Sequence, residues 1–185
     1  MVTADAGTAL NRALMQDERA MGSLTHYAFK SVWTIEARFD DVCAVLADVR
    51  AYPAWWPEIR AVRELDHSRF EVVARALLPY ELRFVAEGRI ENPRLGVFDA
   101  GLSGDLEGFA RWSVESLGAS CKLVYDQEVD THKALLNAFA PIARPAFRMN
   151  HALMMRNGQA GLRTFMAGYA RSAARRADPG GERRR

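Results

Sequence analysis

The chain is predicted to fold as an α+β domain in which a curved antiparallel sheet of six to seven strands surrounds one long C-terminal helix. Two observations predict this class. Strand-like alternation of apolar and polar residues runs from Tyr27 to about Val129, and a helical apolar stripe then runs from about Lys133 to Ala170. One helix can bury both its own stripe and the inner face of a large sheet only if the sheet curves around it. The space left between them is expected to be a ligand cavity.

The sheet is predicted from seven segments whose apolar residues alternate. The first strand, Tyr27–Arg38, is followed by a short helix that starts at Asp40 and Asp41, where an acidic first turn suits the helix dipole. A corner broken by Pro53 and Pro57 comes next. The remaining predicted strands are Ile59–Leu65, Arg69–Leu77, Tyr80–Glu91, Arg94–Leu102, Leu106–Glu115 and Ser120–Asp130. Short turns join them, which predicts antiparallel pairing.

The closing helix is predicted to be one main segment from Phe147 to about Tyr169. Pro141 is expected to end or kink a first short helix, and Pro145 suits the first turn of the main one. Its stripe contains three glycines, each of which costs about 1 kcal/mol of helix propensity relative to alanine. They are Gly158, Gly161 and Gly168. We expect the sheet backbone to come very close to the helix at these positions.

Size and composition indicate one soluble globular domain. The chain has 185 residues, of which 49% are hydrophobic and 26% charged. No apolar run approaches the roughly 20 residues that span a bilayer. Residues 1–22 lack the basic and apolar regions of a signal peptide. Residues 1–24 are expected to be a flexible leader, with residues 25–170 as the ligand-binding domain. A cytoplasmic location is the default expectation.

The basic character of the chain is concentrated at its C-terminus. Residues 171–185 hold six arginines against Asp178 and Glu182, whereas the whole chain has a net charge of only +2. Residues 171–185 are therefore expected to be a disordered basic tail. Contact of this tail with an anionic membrane or with nucleic acid is the minor alternative, and no specific nucleic-acid site is predicted.

The sequence contains no recognisable metal, cofactor or nucleotide motif. The four histidines show no HxH or HExxH spacing. Cys43 and Cys121 are predicted to be two buried free thiols, with a disulfide as the alternative. We expect no metal and no cofactor.

Three sequence segments carry a resemblance to a known family: residues 47–59 (ADVRAYPAWWPEI), Gly104–Gly108 followed by Trp112, and residues 140–151 (APIARPAFRMNH). They resemble segments of the SRPBCC/START-like superfamily, in particular of its bacterial polyketide cyclase/dehydrase and lipid-transport proteins. The resemblance covers about residues 27–168. It implies the helix-grip fold, that of the Bet v 1-like allergens and START domains. Members bind lipids, sterols, polyketides or hormones, or act as cyclases, so the resemblance implies a class of function without fixing the ligand.

The predicted inner face of the sheet is rich in large aromatic residues and small residues. Aromatic rings here could be core alone, but the small Gly88, Gly108 and Ala110 on the same face leave space instead of filling it. We therefore predict a cavity. Its predicted ligand-binding residues are Trp33, Trp56, Tyr80, Phe84, Trp112, Tyr125, Gln127, Asn150, His151 and Met154. For Trp56, a structural role at the corner is the alternative to a place at the cavity mouth.

His151 is a weak catalytic candidate, and the catalytic residues are otherwise unknown. A histidine on an apolar helix face is more often a hydrogen-bonded core residue, although an imidazole can act as acid or base if a partner exists. Three functions stay open. The first is binding of a hydrophobic small molecule, such as a polyketide, an aromatic metabolite or a lipid. The second is a polyketide cyclase/aromatase, and the third is an interaction protein that uses the groove or the Arg-rich tail. The oligomeric state is not predicted.

Overall fold

A computed structural model describes residues 26–76, 80–131 and 140–177, without the side chains at 140–144, 170 and 172–177. The elements in chain order are β1 (His26–Ile35), α1 (Phe39–Ala47), a 3-10 helix (Val49–Ala51), α2 (Tyr52–Trp55), β2 (Ile59–Glu64), β3 (Arg69–Ala74), β4 (Leu82–Asn92), β5 (Val97–Gly104), β6 (Leu106–Ser116), β7 (Cys121–Thr131) and α3 (Ala140–Ala177).

The seven strands form one antiparallel sheet in the order β1-β7-β6-β5-β4-β3-β2. The first strand therefore crosses to the far edge and pairs with the last, from His26 opposite Asp130 to Ile35 opposite Cys121. All other neighbours in the sheet are also neighbours in sequence. This confirms the predicted curved antiparallel sheet with a long C-terminal helix, the helix-grip fold.

Alternation along the strands is as the sequence predicts in most places. On β1, Tyr27, Trp33 and Ile35 are buried, while Val32 on the opposite face is 55% exposed. The turn between β2 and β3 falls at residues 65–68, where a hairpin is predicted. Cys43 and Cys121 are buried free thiols.

The predicted alternation along β4 is wrong at its end. The register against β5 shifts by one residue between Gly88 and Ile90. Beyond the shift, Glu91 pairs with Phe98, which in turn pairs with the buried Trp112. Because cross-strand partners share a face of the sheet, Glu91 takes a concave-face position, whereas unbroken alternation from the predicted inner-face residue Gly88 would place Ile90 there and Glu91 on the opposite face.

The C-terminal helix is one longer segment than predicted. It begins at Ala140 and ends at Ala177, with Pro145 inside it instead of in the first turn. The predicted disordered tail thus overlaps the helix at residues 171–177. The flexible leader predicted at 1–24 and the rest of the tail at 178–185 lie outside the described residues.

The glycines of α3 allow close packing, but the neighbour differs from the one predicted. A Cβ atom at Gly161 would overlap the carbonyl group of Trp55, and one at Gly158 would lie 2.7 Å from the ring of Trp56. At Gly168 a Cβ would meet no atom within 4 Å. At these two glycines the helix is therefore pressed against the tryptophan corner at α2, and at Gly158 a Cβ would also lie 3.1 Å from the ring of Trp33 on β1.

Candidate functional site: a cavity between sheet and helix

A cavity of about 700 Å³ lies between the concave face of the sheet, the segment that links α1 to β2, and the first half of α3. Its wall includes members of both buried clusters of the protein. Trp56 and Trp112 belong to the larger cluster around α1 and α2, whereas Leu106, Val129 and Phe147 belong to the smaller cluster at the opposite end. The predicted space between sheet and helix is therefore present.

Eight of the ten residues predicted to bind a ligand line this cavity. They are Trp56, Phe84, Trp112, Tyr125, Gln127, Asn150, His151 and Met154. Strand parity placed the sheet residues correctly, and the helical spacing placed those of α3. Whether they bind a ligand is taken up below as a proposal.

Trp33 lies behind the cavity wall and does not form part of it. It is 3% exposed, and its ring makes edge-on contacts with Trp112 at 4.8 Å and with Trp56 at 5.8 Å between centroids. The alternation along β1 correctly placed Trp33 on the inner face of the sheet. Its position near the end of β1 under α3 makes it a support for the two wall tryptophans.

Tyr80 is likewise absent from the wall. It precedes β4 and packs against the smaller buried cluster, which contains Tyr27, Leu102 and Phe147. Burial raises the pKa of Tyr80 to about 12, so the phenol stays neutral. The strand predicted to start at Tyr80 begins at Leu82, and the inner-face alternation therefore does not extend to this residue.

The aromatic wall is held in place by contacts between rings and by hydrogen bonds to the backbone. The rings of Trp112 and Tyr125 lie 4.6 Å apart, and Trp56 contacts both of them edge-on at 6.1 and 6.2 Å. The indole N–H of Trp56 donates to the carbonyl oxygen of Met154 at 3.0 Å, and the Tyr52 hydroxyl donates to that of Leu46 at 2.9 Å. Because these polar tips are satisfied by the protein, the rings present apolar area to the cavity.

Both phenols of this wall are neutral. Burial is the main cause that raises the pKa of Tyr52 and of Tyr125 well above the usual value, and their mutual proximity adds to the effect at Tyr52. Neither phenol therefore brings a negative charge to the cavity at physiological pH.

The polar part of the wall is built by Gln127 on β7 and by Asn150 and His151 on α3. Nε2 of His151 lies 3.1 Å from Oε1 of Gln127, so this nitrogen carries the proton and donates to the amide oxygen. The imidazole also stacks on Phe29, with ring centroids 3.8 Å apart and planes at 10°. Asn150 is buried beside it, at 8% exposure.

Burial lowers the pKa of His151 to about 4. The imidazole is consequently neutral at physiological pH, a hydrogen-bonding group and not a cation. As a proton acceptor in catalysis it would be weak, because an effective general base has a pKa near the working pH.

Charged side chains line the part of the cavity that opens to solvent. Nε of Arg50 lies 3.1 Å from Oδ1 of Asp48, and its Nη1 lies 3.4 Å from Oε2 of Glu64. This arginine therefore links the 3-10 helix to the end of β2. Glu91 and His67 are exposed and line the same opening. These residues were not predicted, because exposed charges near turns carry no sequence pattern that distinguishes a cavity rim.

Several apolar wall residues were also missed. Phe29 and Phe98 lie on the concave face and could have been found by the same strand parity that identified Trp112. Tyr52, which precedes the Pro53 corner, carries no such signal, because its place in the wall depends on how α2 packs against the sheet.

A partly buried hydrogen bond attaches α3 to the corner outside the cavity. The side-chain amide of Asn157 donates to the Glu58 carboxylate at 2.7 Å, and Glu58 is only 6% exposed. Together with the Trp56 bond to Met154, this contact holds the helix over the sheet. Sequence reasoning did not single out either residue.

A curved sheet and a long helix that enclose an open aromatic cavity with a few neutral polar groups define a helix-grip protein. The sequence model of the family described as polyketide cyclase / dehydrase and lipid transport matches residues 35–154. The chain belongs to this family.

Solved structures share the fold at low sequence identity. A START superfamily protein from Mycobacterium smegmatis is 16% identical with a TM-score of 0.63, covering 77% of this chain and 98% of its own. The ZhuI aromatase/cyclase from Streptomyces sp. R1128 is 20% identical with a TM-score of 0.59, covering 84% of this chain and 98% of its own. A protein from Thermus thermophilus is 12% identical with a TM-score of 0.60, covering 73% and 96%.

A comparison with curated protein sequences found no significant match. Across the described residues, no helix combines the length and apolar character needed to cross a membrane. Nor do these residues bring three His, Cys, Asp or Glu side chains together in a way that could hold a metal ion.

Proposed function

We propose that this protein binds a hydrophobic, largely aromatic small molecule in the cavity between sheet and α3. The observation that carries the proposal is the cavity itself: about 700 Å³ lined by Trp56, Trp112, Tyr125 and Phe84, a volume within the range of small-molecule sites. Membership of the family supports this reading, since its description includes both polyketide cyclisation and lipid transport.

Apolar burial would supply most of the affinity. Removing apolar surface from water is favourable by about 25 cal/mol per Å², and rigid aromatic side chains offer large contact area at small entropic cost. Gln127, Asn150 and His151 would orient the ligand through hydrogen bonds. A polyketide, another aromatic metabolite or a lipid with a polar end would all satisfy these demands.

Filling the cavity from α3 should abolish binding while the protein stays folded. Met154 lines the cavity and is partly buried, so Met154→Trp places a larger ring in the space that a ligand would occupy. We expect the affinity for an apolar fluorescent probe to fall at least about tenfold. Probe titration, with circular dichroism to verify the fold, measures this.

The matched control is Met149→Trp on the same helix. Met149 is 59% exposed and does not line the cavity, so the variant should bind the probe like the wild type. Unchanged probe affinity in Met154→Trp, or equal loss in both variants, would show that the probe binds elsewhere.

We propose an aromatase/cyclase acting on a bound poly-keto chain as the second candidate. The structural likeness to an aromatase/cyclase from Streptomyces sp. R1128 and the family description favour it. Because His151 is neutral and a weak base, catalysis would depend mainly on holding the chain in a folded geometry, and such positioning can account for a large part of a rate enhancement.

Turnover distinguishes this candidate from a carrier. A poly-keto substrate analogue should be converted to a cyclised product by the wild type and by Met149→Trp, and not by Met154→Trp. Tight binding of the analogue without conversion would favour the carrier. The third alternative, an interaction protein that uses the groove or the Arg-rich tail, remains a prediction. Of the six arginines in the tail, the side chain of Arg171 is described, and the other five lie outside the described side chains.

A further inference from the structure

The wall of the cavity divides into a charged part and a part without charge. Charged lining residues come from the segment after α1 and from β2, β4 and β5; they are Asp48, Arg50, Glu64, Arg89, Glu91 and Asp99. The lining residues contributed by β1, β6, β7 and α3 are all uncharged. They include the amides of Gln127 and Asn150 and the neutral imidazole of His151. A ligand end that reaches this second part meets no cation.

The cations at the cavity opening are poorly placed to neutralise an anionic ligand group beside His151. Arg50 is already paired with the carboxylates of Asp48 and Glu64. The guanidinium of Arg89 lies against Gly101 on β5, where a Cβ atom would be 2.5 Å from its Nε. An ionised carboxylate placed beside His151 would therefore lose its hydration without gaining a partner of opposite charge, which is strongly unfavourable.

The hydrogen-bonding sense of His151 is set by its neighbour. Because Nε2 donates to Gln127, the second ring nitrogen, Nδ1, carries a lone pair and can only accept. Among the described residues Nδ1 has no hydrogen-bond partner, and the ring lines the cavity. Stacking on Phe29 holds the imidazole plane in a fixed orientation.

We propose that the cavity selects an uncharged ligand carrying a hydroxyl, such as a phenol or enol, that donates its proton to Nδ1 of His151, and that it excludes carboxylates of the same shape. This inference rests on the proposed function, since it names the ligand class of that cavity. It distinguishes a hydroxylated aromatic ligand from a fatty acid or an anionic lipid, which would bring an ionised group to the same place.

Four naphthalene compounds of similar size test the proposal: methylnaphthalene, naphthol, naphthamide and naphthoate. Their affinities for the wild-type protein are measured by displacement of an apolar fluorescent probe. Naphthol should bind about tenfold more tightly than methylnaphthalene, as expected for one added hydrogen bond in a buried site. Naphthoate should bind at least about a hundredfold more weakly than naphthol, with the neutral naphthamide between them.

The variant His151→Phe keeps a ring to stack on Phe29 and removes the acceptor. It should lose the naphthol preference and retain methylnaphthalene binding. The matched control is His26→Phe, the same change at a residue on β1 that pairs with Glu128 and Asp130 and does not line the cavity. This control should leave all four affinities unchanged.

The outcomes separate the two levels of the proposal. If none of the four compounds displaces the probe, the proposed function fails. If methylnaphthalene binds but naphthol gains nothing, or naphthoate binds as tightly as naphthol, the proposed function stands and the ligand class is wrong. Equal loss of naphthol and methylnaphthalene in a folded His151→Phe variant would also overturn it, because the histidine would then be structural. The wild-type series is informative even if the variant does not fold.

Discussion

At the scale of single residues, glycine decides how closely α3 approaches the rest of the protein. The two tryptophans of the corner meet the helix at Gly158 and Gly161, where any side chain would overlap them. The indole of Trp56 can consequently reach the backbone oxygen of Met154. The cost of these glycines in helix propensity is offset by packing that a longer side chain would prevent.

Substitution of Gly161 should therefore destabilise the protein although alanine favours helices. In Gly161→Ala, the new Cβ would overlap the Trp55 carbonyl, and we expect a loss of about 1–3 kcal/mol in the free energy of unfolding. Urea denaturation measures this. The matched control is Gly168→Ala, where a Cβ meets nothing within 4 Å, so a gain of about 0.5–1 kcal/mol is expected. A gain in both variants would mean that the helix does not lie on the corner.

At the scale of elements, the turn between β2 and β3 is organised by one carboxylate. Oδ1 of Asp66 accepts hydrogen bonds from the backbone N–H groups of Ser68 and Arg69, at 3.1 and 3.0 Å, and Oδ2 pairs with the Arg69 guanidinium at 2.7 Å. The Arg69 side chain, followed by the Ser68 amide, lowers the pKa of Asp66 to about 2. This turn ends the two strands that carry part of the cavity opening.

The charge of Asp66 should make the stability of the turn depend on pH. Because the pKa is lower in the folded state than the usual value of about 4, the unfolded chain takes up the proton first as pH falls. The contribution of the Asp66 charge to the free energy of unfolding is thus complete above about pH 4 and is lost between about pH 4 and 2. Asp66→Asn should lower the urea midpoint at pH 7, and its difference from the wild type should shrink as pH falls through this window.

Comparison with a second substitution separates the effect of the Asp66 charge from that of its hydrogen bonds. Asp66→Ala removes the acceptor for the backbone amides as well as the charge, so its deficit should persist at low pH, where the protonated wild-type side chain still accepts hydrogen bonds. A deficit of Asp66→Asn that is independent of pH down to about pH 2 would contradict the assigned role of the carboxylate.

At the scale of the whole molecule, the described side chains of α3 differ in burial along the helix. Among them, Met166 is the last apolar side chain that is buried, whereas Ala167, Tyr169 and Arg171 are exposed. The side chain of Arg163 still reaches the backbone oxygen of Thr34 at 3.0 Å. The grip of the sheet on the helix therefore involves the segment from Phe147 to Met166.

Deletion of residues 171–185 should accordingly leave the melting temperature within about 2 °C of the wild-type value and the probe affinity unchanged. Met166→Ala is the contrasting variant, because this side chain is 2% exposed and its truncation should cost about 2–5 kcal/mol. Thermal unfolding measures both. A melting temperature lowered by several degrees after the deletion would show that the C-terminal segment contributes to packing.

Much of the architecture and of the cavity wall could be predicted from the sequence, because hydrophobic periodicity reports local geometry. Alternation with period two identified the strands and the concave face of Trp112, Tyr125 and Gln127, and helical spacing placed His151 and Met154 opposite them. These predictions need only the rule that apolar faces are buried. The same rule cannot tell a residue in the wall from one directly behind it, which is why Trp33 was assigned to the cavity.

Relations between residues that are distant in the chain were decided only by the tertiary structure. The register shift after Gly88 moved Glu91 to the cavity opening, and the packing of α2 against α3 brought Tyr52 and Trp56 into the wall. The tautomer of His151 follows from Gln127, 24 positions earlier in the sequence. The sequence by itself determined the fold class and the face each segment buries, since these depend on local periodicity. The shape, charge and hydrogen-bonding sense of the cavity depend on long-range contacts that local patterns do not encode.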